Sequence, residues 1–286
     1  MGIWIAASAF LIWALATSTS PWAAIHVLSL ALAFGLGYWR QVTWLWQGLA
    51  VVLSLNLAVA ILFPGPSAGF AGNPNYFGTM LAIGLAGALA YRIWWFIPIA
   101  GIGLWVCQSR TAFMGAALAF FIAGIRKYPA TAMCTALLCV LMFLLVEKGE
   151  GSMAQRLGIW QMAINNMTLS GHGWGSFMGA IDALPVKINM TLLKAPGAYN
   201  DFLQLCFELG LGVIPLLILV AYCLEGADDS ARLIFWVYLA MSLTYFPLWV
   251  PIVGQFVAMS LGRMAASRFQ QRKIQWPDGF LKSPTI

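Results

Sequence analysis

Charged residues are scarce in this chain. Asp, Glu, Lys and Arg make up 8% of its 286 residues, whereas hydrophobic residues make up 62% and the mean hydropathy is +0.84. A water-soluble globular domain of this length does not normally reach such values, so the composition predicts a polytopic membrane protein. The net charge of +6 comes largely from short turns and the C-terminal tail, which favours orientation of membrane spans over binding of nucleic acid.

Close cysteine pairs and a basic leader are also missing. The cysteines lie in or at the ends of apolar runs, and none forms a Cys-X-X-Cys pair: Cys107, Cys134, Cys139, Cys206 and Cys223. We interpret them as small core residues and predict neither a disulfide nor a zinc site. The first residues lack the basic region of a signal peptide, so residues 3–16 are predicted to be a first, short span.

Long apolar runs without alternation predict helices and not a β-barrel. The predicted fold is an all-α transmembrane bundle of about ten spans that forms one domain over residues 1–286, with eight or nine spans as the alternative. The predicted spans are 3–16, 22–39, 44–63, 75–91, 93–108, 111–125, 130–146, 201–224, 232–248 and 251–262.

Small and aromatic residues within these spans suggest how they pack. Gly78, Gly84 and Gly87 on the fourth span are predicted to let neighbouring helices approach closely. Tryptophans near span ends, Trp46 among them, are predicted to be interfacial anchors. His26, inside the second span, has no second imidazole or carboxylate nearby in sequence, so it is predicted to be a packed interior residue.

Basic residues set the predicted orientation. When ten spans are threaded, Arg40, Arg92, the pair 126–127 and the basic tail 263–286 fall on one side, which is predicted to be the cytoplasm together with both termini. The polar segment 147–200 then becomes one large outward loop. Arg110 is the exception, because it lies in a short outward turn. It is either an arginine that snorkels to headgroups or a fixed cation for an anionic ligand.

The polar segment contains two patterns of its own. From Arg156 onward, Leu157, Trp160, Ile164 and Met167 recur at helical spacing between polar residues, which predicts an amphipathic helix on the outer membrane surface. The following stretch 171–177, GHGWGSF, has three glycines in five residues. Such a backbone can turn sharply and approach a ligand closely.

The eighth span begins with polar residues on one helix face. Asp201, Gln204 and Glu208 are separated by three and four residues and therefore share that face. Asn200 and Asp201 are also suited to capping the helix start. Glu208 lies too deep to act as a cap, and a carboxylate in an apolar helix is costly unless it is paired or faces a cavity.

Several of these motifs together resemble the bacterial O-antigen ligase and polymerase family. They occur in the family's order and cover roughly half of the chain: Ser109-Arg110, Arg156 with Trp160, the turn with Gly171, Gly173, Gly175 and Phe177, and the segment from Asn200 to Gly210. The resemblance implies an integral glycosyltransferase of the bacterial inner membrane that acts at the periplasmic face. The loop 147–200 would then be periplasmic.

The resemblance also implies the substrates. The donor would be an undecaprenyl-diphosphate-linked glycan, and the acceptor a hydroxyl of lipid A core, a protein or another glycan, as in lipopolysaccharide biosynthesis. Transfer would invert the anomeric centre and would need neither a metal nor another cofactor. Besides membrane lipids no further partner is implied. Arg110 and Arg156 match the two functional arginines of the family and would face the diphosphate, where guanidinium groups stabilise negative charge.

One position departs from the family pattern. Tyr199 stands where the family has a histidine before the asparagine, and a phenol is a poor general base at neutral pH. The substitutes are Asp201 first, His172 second, and Glu208, which could instead orient the arginines or the acceptor. The alternatives are that the reaction needs no base or that the chain is a diverged or inactive relative. The predicted substrate-binding residues are Trp160, Gly173, Gly175, Tyr199, Asn200 and Gln204.

Two other classes of function compete with the enzyme. In a transporter or flippase, Glu208, Arg110 and His26 would line a path across the membrane. Many transporters contain internal repeats, whereas the polar segment has no second copy here. In a non-catalytic assembly factor for envelope polysaccharide, neutral substitutions at the arginines would leave function unchanged.

Overall fold

The computed structural model describes residues 2–39, 43–62, 73–125, 128–145, 152–183, 187–188, 191–192, 197–226, 228–250 and 252–275. The described chain is helical, as predicted. The helices of the first half are α1 Gly2–Ala16, α2 Pro21–Trp39, α3 Thr43–Leu62, α4 Pro74–Tyr91, α5 Phe96–Cys107, α6 Arg110–Gly124 and α7 Pro129–Leu145. The basic residues at 40 and 126–127, used for the predicted orientation, lie outside the described residues.

The second half begins with the predicted loop and ends with four long helical segments. Its helices are α8 Ser152–Asn165, α9 Phe177–Ala183, α10 Asp201–Leu209, α11 Val213–Leu224, α12 Asp229–Ser242 and α13 Val253–Gln275. A single 3₁₀ turn, Gly210–Gly212, joins α10 to α11. Two short antiparallel strands, β1 Lys187–Ile188 and β2 Thr191–Leu192, pair with Lys187 opposite Leu192.

Within the part of the chain that the structure describes, three helical segments are long and apolar enough to cross a membrane. They are Pro21–Trp39, Thr43–Leu62 and the continuous run Asp201–Leu224, which joins α10 to α11. Further apolar helices, including α5, α6 and parts of α1 and α7, are shorter. These lengths indicate membrane association. The count of about ten spans and the periplasmic position of the loop stay predictions.

Small residues on α4 bring the central helices together, as the sequence predicted. A Cβ atom added to Gly87 would overlap the Trp46 ring, and one added to Gly84 would lie 2.8 Å from Leu53 Cδ1. Trp46 itself is buried, so its predicted role as an interfacial anchor is wrong. Because Gly87 leaves room for it, the indole fills the space between α3 and α4.

The last two helices end at residues that differ from the ends of the predicted spans 232–248 and 251–262. The helix α12 stops at Ser242, and a 3₁₀ turn follows at Pro247–Trp249. Proline lacks the N–H group that helix continuation needs, and it restricts the preceding residue as well. The helix α13 continues to Gln275 through the first part of the predicted tail, where Arg263 and Arg268 form ion pairs with the bundle.

The glycine turn 171–177, the turn between α1 and α2, the start of α4 and the turn after α12 lie at one end of the bundle, which we call the loop end. In the turn between α1 and α2, Thr19 donates hydrogen bonds from its N–H and its hydroxyl to the Trp174 carbonyl, each 3.1 Å long. Tyr76, in the first turn of α4, lies 6.0 Å from Phe246 between ring centroids. The opposite end, which contains Arg92, Asp228 and Arg263, is called the basic end.

Candidate functional site

The polar face of α10 is buried at the loop end. Asn200 caps the helix, since its side-chain oxygen accepts a hydrogen bond from the Leu203 N–H at 3.0 Å. Its side-chain nitrogen donates to the Leu243 carbonyl at 3.2 Å. Asp201, Gln204 and Glu208 are all buried behind this cap. The shared face predicted from their spacing is therefore the face that packs against the rest of the loop end.

Glu208 holds the glycine turn. Its carboxylate is 0% exposed and accepts hydrogen bonds from the N–H groups of Gly175 at 2.8 Å and Phe177 at 3.3 Å. The Gln204 side chain donates to the same carboxylate at 3.1 Å. The backbone adds a further bond, from the Gly173 N–H to the Glu208 carbonyl at 2.8 Å. The buried carboxylate is thus satisfied by amide donors, and it contacts the turn and not an arginine.

Three residues of the turn have backbone conformations that favour glycine. The φ angles are +73° at Gly171, +97° at Gly173 and +83° at Gly175. A side chain on Gly173 would collide with the Thr17 carbonyl, and one on Gly175 would place its Cβ 2.8 Å from the Ala23 Cβ. The predicted sharp turn is present, and its close approach is to protein backbone.

Gln204 and Trp160 fix the segment before α10 from two sides. Gln204 accepts a hydrogen bond from the Ala198 N–H at 3.0 Å. The Trp160 indole N–H donates to the Ala198 carbonyl at 2.7 Å. Both groups that were predicted to bind substrate therefore hold residue 198, which places Tyr199 beside them.

Asp201 joins the start of α10 to the turn after α12. It is 1% exposed, and its Oδ2 atom accepts hydrogen bonds from the Ser242 hydroxyl at 3.1 Å and the Leu248 N–H at 3.0 Å. This carboxylate was the first choice for a general base. In the structure the donors to its Oδ2 atom hold two elements together, and its Oδ1 atom is buried without a hydrogen-bond partner among the described residues.

Arg156 lies half-buried beside Tyr199. Its Nη1 donates a hydrogen bond to the Thr244 carbonyl at 2.9 Å, and its Cζ lies 5.1 Å from the centre of the Tyr199 ring. No described carboxylate lies within 4.0 Å of this guanidinium. Burial lowers the pKa of Arg156, which the nearby Tyr199 and Tyr245 hydroxyls partly oppose. The group remains a cation at neutral pH.

Tyr199 occupies a constrained position next to this cation. Its φ angle is +52°, a conformation that is uncommon for an aromatic residue. The ring is half-buried and lies 5.4 Å from Phe246 between centroids. Burial raises the pKa of Tyr199 above its ordinary value of 10.0, and Arg156 partly opposes the rise. The phenol is therefore neutral at physiological pH and can act only through hydrogen bonds or ring contact.

Arg110 lies at the same end of the bundle as Arg156. It is the first residue of α6, directly after the buried Ser109. A Cβ atom on Gly78, in the second turn of α4, would lie 2.7 Å from Ser109 Cβ. Two residues earlier on α4, Tyr76 packs against the rings that surround Tyr199. The structure therefore brings the two predicted arginines to one end.

The two histidines occupy different surroundings. His172 is exposed, stacks on the Phe207 ring at 4.3 Å, and places its Nε2 atom 2.6 Å from the Asn166 carbonyl. Because a carbonyl only accepts, this contact assigns the proton to Nε2 and leaves the lone pair on Nδ1. His26 lies in the interior beside the rings of Trp174 and Trp249, where it was expected to be packed.

The amphipathic helix α8 has two apolar faces. One was predicted from the sequence to face the membrane, and the other packs against the protein. Ile159, Met162 and Ala163 pack against Phe177 and Phe207. The predicted apolar residues are the ones that remain outside: Leu157, Ile164 and Met167 are exposed, and Trp160 is half-buried. This outer apolar face is the one available to a membrane surface.

Sequence reasoning missed the turn after α12 as part of the site. Thr244 accepts the hydrogen bond from Arg156, Leu248 donates to Asp201, and Phe246 packs against Tyr199. This turn was assigned to the end of a span because its residues are apolar. Pro247 was the available signal, since it marks a probable helix end.

The fold and the site define a class: an all-helical, membrane-associated bundle in which two arginines and a glycine turn meet at one end. Among the described residues, no group of three His, Cys, Asp or Glu side chains is arranged to hold a metal ion. Comparison with known proteins adds no family to this description, because neither a protein-family model nor a curated protein matches the chain.

Proposed function

We propose that this protein is a glycosyltransferase that takes a glycan from a polyprenyl-diphosphate carrier at the outer face of the bacterial inner membrane. The observation that carries the proposal is the state of Arg156, a half-buried cation without a described carboxylate partner. Burial of a charge is unfavourable unless something compensates for it. An anionic ligand at this position would supply that compensation.

The donor groups of Arg156 favour a phosphate ligand. A guanidinium has five N–H donors in a planar fork, which matches phosphate oxygens. Among the described residues, one hydrogen bond, to the Thr244 carbonyl, uses these donors. Neither Asp201 nor Glu208 competes, since both carboxylates accept bonds from other groups. In the proposal Arg156 binds the diphosphate, with Arg110 at the same end as a second cation.

The proposed reaction is a single displacement. The acceptor hydroxyl oxygen forms a bond to the anomeric carbon while the bond from that carbon to the diphosphate oxygen breaks. The electron pair leaves with the diphosphate, whose increased negative charge the arginines stabilise. The hydroxyl proton passes to a base. Tyr199, beside Arg156, would hydrogen-bond the acceptor, and His172 is the base candidate that reaches solvent with a lone pair on Nδ1.

A second candidate function is binding of the carrier-linked glycan without transfer. It is favoured by the distance between the base candidate and the cation. His172 contacts the carbonyl of Asn166, ten residues after Arg156, and a helix rises roughly 15 Å over ten residues. A base at that distance serves the reaction only if the substrate or the loop brings the groups together. An assembly factor needs no base.

The deciding experiment uses the purified full chain in nanodiscs with an undecaprenyl-diphosphate-linked glycan. Arg156→Ala should weaken donor binding roughly tenfold to a hundredfold, which corresponds to a charged hydrogen bond. The matched control is Arg232→Ala at the basic end, which should leave binding unchanged. Release of undecaprenyl diphosphate on addition of an acceptor, lost in His172→Ala while donor binding persists, supports the transferase.

The other outcomes are equally informative. Donor binding without release of the diphosphate carrier, for each acceptor class tested, favours the assembly factor. Equal binding by the wild type and Arg156→Ala overturns the assignment of the anion site. Movement of a solute or lipid across the membrane without a glycan product identifies a transporter and rejects both candidates.

A further inference from the structure

The basic end contains an open groove that the proposed reaction does not use. Its volume is about 620 Å³, within the range typical of ligand sites. It lies between the turn from α4 to α5 and the turn from α6 to α7. Arg92 and Trp94 line one side, and Tyr128 and Thr131 line the other.

Among the described residues that line this groove, Arg92 is the cation. It caps the C-terminus of α4 with a φ angle of +60°. Its side chain is exposed, and among the residues that the structure describes it has neither a hydrogen-bond nor an ion-pair partner. The other described arginines of this end, Arg232, Arg263 and Arg268, each pair with a carboxylate. Arg92 therefore presents its charge to whatever enters the groove.

The remaining surfaces of the groove are amphipathic or apolar. Trp94 and Tyr128 stand at its rim, each 59% exposed. Aromatic side chains with one polar edge are typical of the boundary between headgroups and acyl chains. The interior is lined by Leu89, Ile97 and Phe120. A ligand that satisfies both parts has an anionic group near Arg92 and an apolar chain against this interior.

We propose that the groove binds an anionic phospholipid, with the phosphate at Arg92 and part of an acyl chain between α5 and α7. The neighbouring helix surface supports a bilayer lipid over a free anion, because Leu137 and Leu138 on α7 are both exposed and apolar. A membrane-associated chain with such surfaces meets acyl chains on this side. The net charge of a phosphatidylglycerol headgroup complements the unpaired guanidinium. This inference does not depend on the proposed glycosyltransferase activity.

Native mass spectrometry of the full chain in neutral detergent tests the site. Phosphatidylglycerol and phosphatidylcholine with identical acyl chains are titrated separately. The wild type should bind phosphatidylglycerol about fivefold more tightly, the preference expected from one arginine near the headgroups. Arg92→Gln, which removes the charge, should abolish this preference. Arg232→Gln, at the same end, should retain it. A preference that survives in Arg92→Gln, or that both variants lose equally, overturns the proposal.

A second pair of variants tests the acyl-chain part of the groove without changing charge. Thr131→Trp fills the groove from its exposed side and should weaken phosphatidylglycerol binding by a similar factor. Met133→Trp is the control, because Met133 is exposed on the same helix and does not line the groove. Equal binding by both variants contradicts a chain in the groove. Full displacement of the lipid by inorganic phosphate at matched concentration identifies a free-anion site and also overturns the proposal.

Discussion

The two ends of the bundle use their charged residues in opposite ways. At the basic end, carboxylates pair with arginines: Asp228 accepts from Arg263 Nε at 3.1 Å, and Glu225 pairs with Arg268. At the loop end, the carboxylates of Asp201 and Glu208 accept bonds from backbone and side-chain donors that are uncharged. No described carboxylate lies within 4.0 Å of Arg156 there.

This difference separates carboxylates that neutralise arginines from carboxylates that hold the backbone in place. Ion pairs at the basic end join α13 to the region around the start of α12, so their cations are already neutralised. At the loop end the carboxylates stabilise the chain that forms the site, and a cation remains free to bind an anion. A chain with 8% charged residues therefore keeps Arg156 without a described carboxylate partner where its predicted loop folds, as the proposed binding of an anionic substrate requires.

The largest loss of stability is expected when a carboxylate is removed at the loop end, in comparison with a carboxylate removed at the basic end. Glu208→Ala leaves the N–H groups of Gly175 and Phe177 without an acceptor, so the free energy of unfolding should fall by about 3 kcal/mol. Asp229→Ala is the control at the basic end. Its side chain is 77% exposed, so the loss should stay within about 0.5 kcal/mol. Denaturant titration in detergent measures both. Equal losses would show that the loop end does not depend on its buried carboxylate.

Double-mutant cycles test whether the arginines are paired. The Asp228→Ala and Arg263→Ala substitutions should couple by about 1 kcal/mol, because each removes the partner of the other. The Arg156→Ala and Glu208→Ala substitutions should be additive within about 0.5 kcal/mol. The measurement is the free energy of unfolding of each single and double variant. Strong coupling between Arg156 and Glu208 would mean that the loop end contains an ion pair, and the contrast between the ends would disappear.

A smaller loss of stability is expected when Trp160, whose indole holds the segment before α10, is replaced. Trp160→Phe keeps an aromatic ring but removes the 2.7 Å hydrogen bond to the Ala198 carbonyl, which should cost about 1 kcal/mol. Trp105→Phe, on an exposed apolar surface of α5, should change the free energy of unfolding by less than about 0.5 kcal/mol. If the two substitutions behave alike, Trp160 contributes through ring packing alone.

The sequence predicted the helices and the polar face of α10 better than it predicted individual contacts. Apolar runs and the spacing of Asp201, Gln204 and Glu208 are local signals, so they identified elements and a shared face. Partners depend on tertiary packing. Spacing could not show that Glu208 accepts from the glycine turn, or that α8 packs Ile159 against Phe177 and Phe207 through a second apolar face. Single-sequence patterns contain no information about which distant backbone group lies opposite.

Tyr199 is the position at which the chain departs from the family that it resembles. The smallest effect is expected from its titration, which tests whether the phenol is buried beside Arg156. Burial raises the pKa of Tyr199 in the folded state above its ordinary value of 10.0. Its contribution to stability is therefore present below pH 10.0 and is lost as the pH rises through the folded-state pKa. The melting temperature of the wild type should fall more steeply above pH 10.0 than that of Tyr199→Phe. Parallel pH profiles for the two proteins would mean that the phenol is not buried beside the cation.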